Sequence, residues 1–192
     1  MRPSLTRSSL LVLGTALLGA CGLSRSAPST LTPSASARGA LTDANIAAIV
    51  VAANNADILY ADLALAKSRA EEVRAFATMT KKDHTAVNAA ATALVTRLKV
   101  TPVDNEASFD LRDDADTKRL VMRELEGFTF DTAYTANEVR YHRTLLGTID
   151  DALIPGAQNP ELRALLVQVR PAVAAHLDHA IALSKTLAAR ER

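Results

Sequence analysis

From Thr42 to Leu187, apolar side chains return at steps of three and four residues, the repeat of a helix that buries one face. The first such stretch opens at Thr42 or Asp43, either of which caps a helix through a side-chain oxygen. Its stripe runs through Ile46, Val50, Ala53, Tyr60 and Ala64, with Asp57 in line. After a break near Ser68-Arg69 a second stripe follows: Val73, Ala77, Thr80, His84, Val87, Ala91, Leu94 and Leu98, its steps alternating between fours and threes as in a bundle seam. This helix ends near Lys99, because the residue before Pro102 is held away from helical backbone. A third helix is predicted from about Thr129 to Leu153, with Phe128, Asp131, Tyr134, Glu138, Tyr141, Leu145 and Ile149 on one side and Pro155-Gly156 as its stop. A fourth opens at Asn159-Pro160-Glu161, where Asn caps, Pro suits the first turn and Glu complements the helix dipole. Its stripe is Leu162, Leu166, Val169, Val173, His176, Ala180, Leu183 and Leu187, and Pro171 is expected to kink it.

Between the second and third helices, Pro102 to Asp116 is polar and crowded with Asp104, Glu106, Asp110, Asp113, Asp114 and Asp116. It lacks the ligand order and turn glycine of a calcium loop, so it is predicted as a solvated linker. A short helix from about Thr117 to Leu125, stopped by Gly127, completes the connection. Short turns join the first helix to the second and the third to the fourth. The predicted fold is therefore all-α: an antiparallel four-helix bundle of two hairpins with a short extra helix in the longer connection. Composition agrees, since Ala and Leu dominate and β-branched runs are scarce.

Residues 1–41 carry a different pattern. Arg2 and Arg7 precede a short apolar run from Leu10 to Leu18, and Leu18-Gly19-Ala20-Cys21 follows. A run this short does not span a bilayer, which takes about 20 residues. It reads as a signal peptide over 1–20. Leu-Gly-Ala-Cys resembles the bacterial lipobox, whose cysteine is acylated. Cys21 is the only cysteine in the chain, and acylation removes the liability of a lone thiol in an oxidising compartment. Gly22 rather than Asp follows it, which by resemblance to Gram-negative lipoproteins predicts an outer membrane protein facing the periplasm, or the outer face of the cell membrane where no outer membrane exists. The Ser-, Ala-, Pro- and Thr-rich segment from Gly22 to about Ala40 reads as a tether, so residues 21–41 join the lipid to a domain over 42–192. Such a tether has a mean reach of about 25 Å. Without residues 1–20 the chain carries 20 basic and 21 acidic side chains, a balance of −1 with no long basic run. That gives no electrostatic case for nucleic-acid binding. The membrane, reached through the lipid, is the expected partner.

Polar residues interrupt the apolar seams. His84 and His176 take core positions, as do Asp57 and Glu138, and His142 lies four residues after Glu138 on the same side. Counting back from the turns puts Asp57 within about one helical turn of His84, and Glu138 and His176 at about the same height with His142 about one turn from both, but does not say whether the two sets share one level. Two readings stand side by side. Imidazole and carboxylate suit a transition metal held between facing helices. The same groups also suit a buried hydrogen-bonded layer that fixes helix register. A di-iron bundle would need two Glu-x-x-His pairs with two further Glu, and this chain does not supply them, which leaves a mononuclear site. His179, three residues after His176, leaves the stripe and reads as a surface residue. No phosphate loop, nucleophilic cysteine or Ser–His–Asp motif marks an enzyme.

Phe76-Ala77, Met79, Asp83-His84, Asn88 and the Pro102 stop, then Gly127, Phe130-Asp131, Tyr134 and His142, and finally Pro171, His176-Leu177 and Ala180 resemble, in order and spacing, a bacterial family of exported, ferritin-like domains of unknown function, often labelled outer membrane proteins. The resemblance covers roughly Asn45 to Leu187 and implies a ferritin-like bundle. It implies no activity, and it draws attention to His84, His142 and His176. The expected function is a lipid-anchored bundle with a binding or structural role in the cell envelope. The alternative is a metal-binding or redox protein using His84, His142 and His176, with Asp57 and Glu138 beside them.

Overall fold

The computed structural model describes residues 41–190, and Cys21 with the predicted signal and tether lies outside them. The described residues form helices and no strand: α1 (Asp43–Lys67), α2 (Glu71–Leu98), α3 (Glu106–Met122), α4 (Gly127–Thr148), a π turn (Ile149–Leu153), the short α5 (Ile154–Gly156) and α6 (Pro160–Arg190).

Caps set most boundaries. Thr42 accepts from the Asn45 amide while the Asn45 side chain reaches back to Thr42, so α1 opens on a reciprocal pair. Lys99 closes α2 in the left-handed region, at φ 55°. Asn159 accepts from the amides of Glu161 and Leu162 at the head of α6. That helix continues through Pro171.

Three expectations are corrected. The stretch read as a solvated linker is mostly α3, a helix of 17 residues rather than a short one from Thr117 to Leu125. Asn105 and Ser108 cap it reciprocally, and only Ser108, Ala115 and Met122 are buried. This one-residue-in-seven stripe lets the acidic side chains face water along the rest of the surface. Gly127 does not end a helix; at φ +53° it starts α4, a conformation glycine adopts without strain. The third helix also begins two residues earlier than expected and does not stay α-helical to Leu153. Its last turn widens, with the Ile154 amide bonded to the Ile149 carbonyl. Pro155, which has no N–H to offer, follows that bond.

Side-chain pairs give the helix directions. Along α1, Asn55 and Asp62 meet Asn88 and Lys81 of α2, at 2.7 and 2.5 Å, so the two run antiparallel. Ala53 and Lys67 meet Tyr141 of α4 and Glu126 just before it, again antiparallel. Asp83 and Arg97 of α2 meet His176 and Glu161 of α6, and Asp150 meets Arg170. Thus α1 and α6 point one way, α2 and α4 the other. Val103 bonds the Ala44 carbonyl and Lys67 reaches the Arg123 carbonyl, so α3 runs parallel to α1 and carries the chain back along it.

Helix α1 is buried on nearly all sides, from Ile46 to Ala64, because α2, α3 and α4 all pack against it. Alanines at 47, 48, 52, 53, 56, 61 and 64 keep those neighbours close. By length and composition α1 alone among the described helices would pass as a membrane span, yet most of it is covered by the fold. Large side chains fill the centre of the molecule: Tyr60, Phe76, Phe130 and Tyr134, with the Phe130 and Tyr134 rings stacked 6.2 Å apart.

Candidate metal centre

Each long helix sends a polar side chain to one level of this core. Asp57 comes from α1, His84 from α2, Glu138 and His142 from successive turns of α4, and His176 from α6. All are buried; Asp57, Glu138 and His142 are 0% exposed, and His84 and His176 are 3% exposed. The two hairpins therefore meet with their polar groups at the same height, which counting from the turns left open. One ring nitrogen from each of His84, His142 and His176 lies within 4.8 Å of the others, and Asp57, Glu138 and His142 satisfy the same limit. His84 Nε2 is 3.3 Å from Asp57 Oδ2 and 3.5 Å from His142 Nε2. His142 Nε2 is 3.9 Å from Asp57 Oδ1, and its Nδ1 is 3.3 Å from Glu138 Oε2.

Hydrogen bonds around the rim decide which ring nitrogens carry protons. The Asn54 amide donates to the Val50 carbonyl at 2.9 Å, which turns its oxygen toward His84 Nδ1 at 2.7 Å. That nitrogen must donate, so His84 Nε2 keeps its lone pair. His142 Nδ1 lies 3.1 Å from the Glu138 carbonyl, an acceptor only, so Nδ1 is the donor in that contact. The Nε2 atoms of His84 and His142 face each other at 3.5 Å. His176 Nε2 donates to Asp83 Oδ2 at 3.0 Å, and its buried Nδ1 has no partner among the described residues. Both oxygens of Asp57 and both of Glu138 also lack a hydrogen-bond donor there.

Burial sets the protonation of these groups. It pushes His84 down to about 4 against the raising effect of Asp57, and it pushes His176 down as well, so both rings are neutral at pH 7. Burial, and then the Asp57 charge, holds Glu138 well above the usual carboxylate range. Imidazole nitrogens and carboxyl oxygens converging at one buried level are a ligand set for a cation of the zinc, iron(II) or copper(II) type, whose binding would displace the Glu138 proton. Orphaned buried acceptors are costly unless something positive joins them. Phe76, edge-on to His142 at 6.4 Å, and Tyr141, edge-on at 5.6 Å, keep the α4 side dry.

All five residues singled out in the sequence for a metal converge. Asn54 and Asp83, which orient His84 and His176, were not singled out for this. Asn54 sits one step off the α1 stripe. Asp83 diverges from its neighbour His84, and that divergence is what lets it reach across to α6. His179 is exposed and packs edge-on against Phe76 at 5.2 Å, apart from the cluster.

No curated protein and no solved structure matches the chain. A family match does extend over residues 28–183, taking in every residue of the cluster and both of the side chains that orient it, and the chain belongs to that family, described as Domain of unknown function (DUF4142).

Proposed function

We propose that this protein is a metal-binding bundle that holds one divalent transition-metal ion among His84, His142 and His176, with Asp57 and Glu138 completing the donor set. The observation that carries this reading is the convergence of three buried imidazoles, two of them nitrogen to nitrogen at 3.5 Å, on Asp57 and Glu138, whose oxygens have no hydrogen-bond partner among the described residues. A register-fixing hydrogen-bonded layer would pair its members; here both carboxyl groups and His176 Nδ1 are left without a hydrogen-bond partner among the described residues. Asn54 and Asp83 supply the outer contacts that metal-bound histidines characteristically make. The helix order, with two helices up, two down and a connection that returns along the first, supports a ferritin-like four-helix bundle.

Metal content by mass spectrometry, after purification without chelator, tests the reading. Near-stoichiometric metal is expected in the parent protein and little in His84→Ala or His176→Ala, with helical content checked by circular dichroism. Asn54→Ala should keep the stoichiometry at saturation but weaken affinity by about 10- to 100-fold. A folded protein that stays metal-free after reconstitution with iron, zinc and copper would overturn it.

The same domain is proposed to work outside the cytoplasm, tethered to a membrane through Cys21. The support is the sequence of residues 1–21 and the lone cysteine that ends it. Cys21→Ser in the full chain should move the protein from the membrane to the soluble fraction, and unchanged membrane association would count against the anchor.

A further inference from the structure

On the side of the cluster facing α2 and α6 the core is not filled. A cavity of about 40 Å³ borders His84, His176 and Asn54. Its walls are otherwise aliphatic, among them Val50, Leu145, Leu166 and Val173, and its floor is the π turn, which turns Ile149 and Leu153 inward together. The cavity reaches the surface between α2 and α6, where half-buried Val87 and Val169 and exposed Ala172 border it. Among the described residues, Asp83 is the one ionisable group at this rim besides the histidines, and one of its carboxylate oxygens is engaged by His176.

Size and lining restrict what fits. An apolar cavity of about 150 Å³ takes benzene or xenon, so one of 40 Å³ takes a molecule of very few atoms. Ions are excluded by an aliphatic wall that cannot replace their hydration. Water needs two to four polar partners; the histidine end of the pocket offers them, but the aliphatic walls that make up most of its lining do not.

We infer that this pocket admits a small uncharged molecule, of the class of the neutral diatomic gases, from the α2–α6 seam to the His84–His176 face of the cluster. Coordination of that molecule rests on the metal reading above; occupation of the pocket does not. Xenon is the probe for the pocket and nitric oxide the probe for the metal. Xenon-pressurised NMR on the metal-free protein is expected to shift the methyl resonances of Val87, Leu166 and Val169. Val169→Phe, at a half-buried rim position, should abolish those shifts while leaving the fold intact. In the iron(II)-loaded protein the nitrosyl signal by electron paramagnetic resonance should appear more than about tenfold more slowly in Val169→Phe than in the parent. Absent xenon shifts, or shifts that persist in Val169→Phe, would overturn the pocket whether or not iron binds. Equal nitrosyl rates in the two proteins would overturn the route. Xenon binding in a protein that holds no iron would uphold the pocket and remove the metal reading alone.

Discussion

Glu138 shows how much one buried side chain can ask of a fold. Held well above its ordinary value of 4.5, it keeps its proton in the folded chain and releases it in the unfolded one. Its contribution to stability is complete below pH 4.5 and is lost as pH rises toward the folded value. His84 acts in the other window: pushed down to about 4 from 6.5, it favours the fold above pH 6.5 and loses that contribution as pH falls to about 4. Glu138→Gln should therefore flatten the decline in stability of the metal-free protein as pH rises above 4.5, by up to about 1.4 kcal/mol per pH unit. Denaturant titrations of both proteins across that range check it, and parallel slopes would rule it out. Four residues of the cluster, Asp57, His84, Glu138 and His176, were legible in the sequence because each stands where an apolar side chain would keep the seam intact, and His142 because it follows Glu138 by four residues. Asn54 and Asp83 were not, because neither interrupts a seam. Their meaning lies in which way an imidazole is turned, and spacing along a chain carries no such information.

Among the elements, α3 was the least legible. Its buried positions recur only once in seven residues, and six acidic side chains lie between Asp104 and Asp116, so its composition imitates a linker. The signal was local: Asn105 three residues before Ser108, a reciprocal cap with Ser in the place usually taken by Glu or Gln. Asn105 also donates to the Asn45 carbonyl at 3.2 Å, tying the head of α3 to α1. Asn105→Ala should destabilise the protein by about 1 kcal/mol, read as a lower urea midpoint at unchanged m value. An unchanged midpoint would mean that packing on α1 alone holds the helix. The π turn had no sequence signature beyond Pro155, since an extra residue in one turn leaves the apolar spacing on both sides intact.

For the whole molecule, the stripes were enough to predict the two hairpins, but not how one hairpin faces the other. That relation depends on the length of the connection. A helix of 17 residues spans about 25 Å, enough to return the chain along most of α1 and start α4 at the opposite end. With a short linker and a short helix that direction was undetermined, and so was the shared height of the polar groups. The enclosure of α1 has a consequence for how the chain is made. Its covers, α2, α3 and α4, all lie C-terminal to it, the last ending at Thr148. Until they have emerged, a 25-residue helix with almost no polar face is left without shelter. Among the described residues, the half-made chain therefore exposes its most adhesive segment just after α1 leaves the ribosome, and a holding chaperone would find a substrate there.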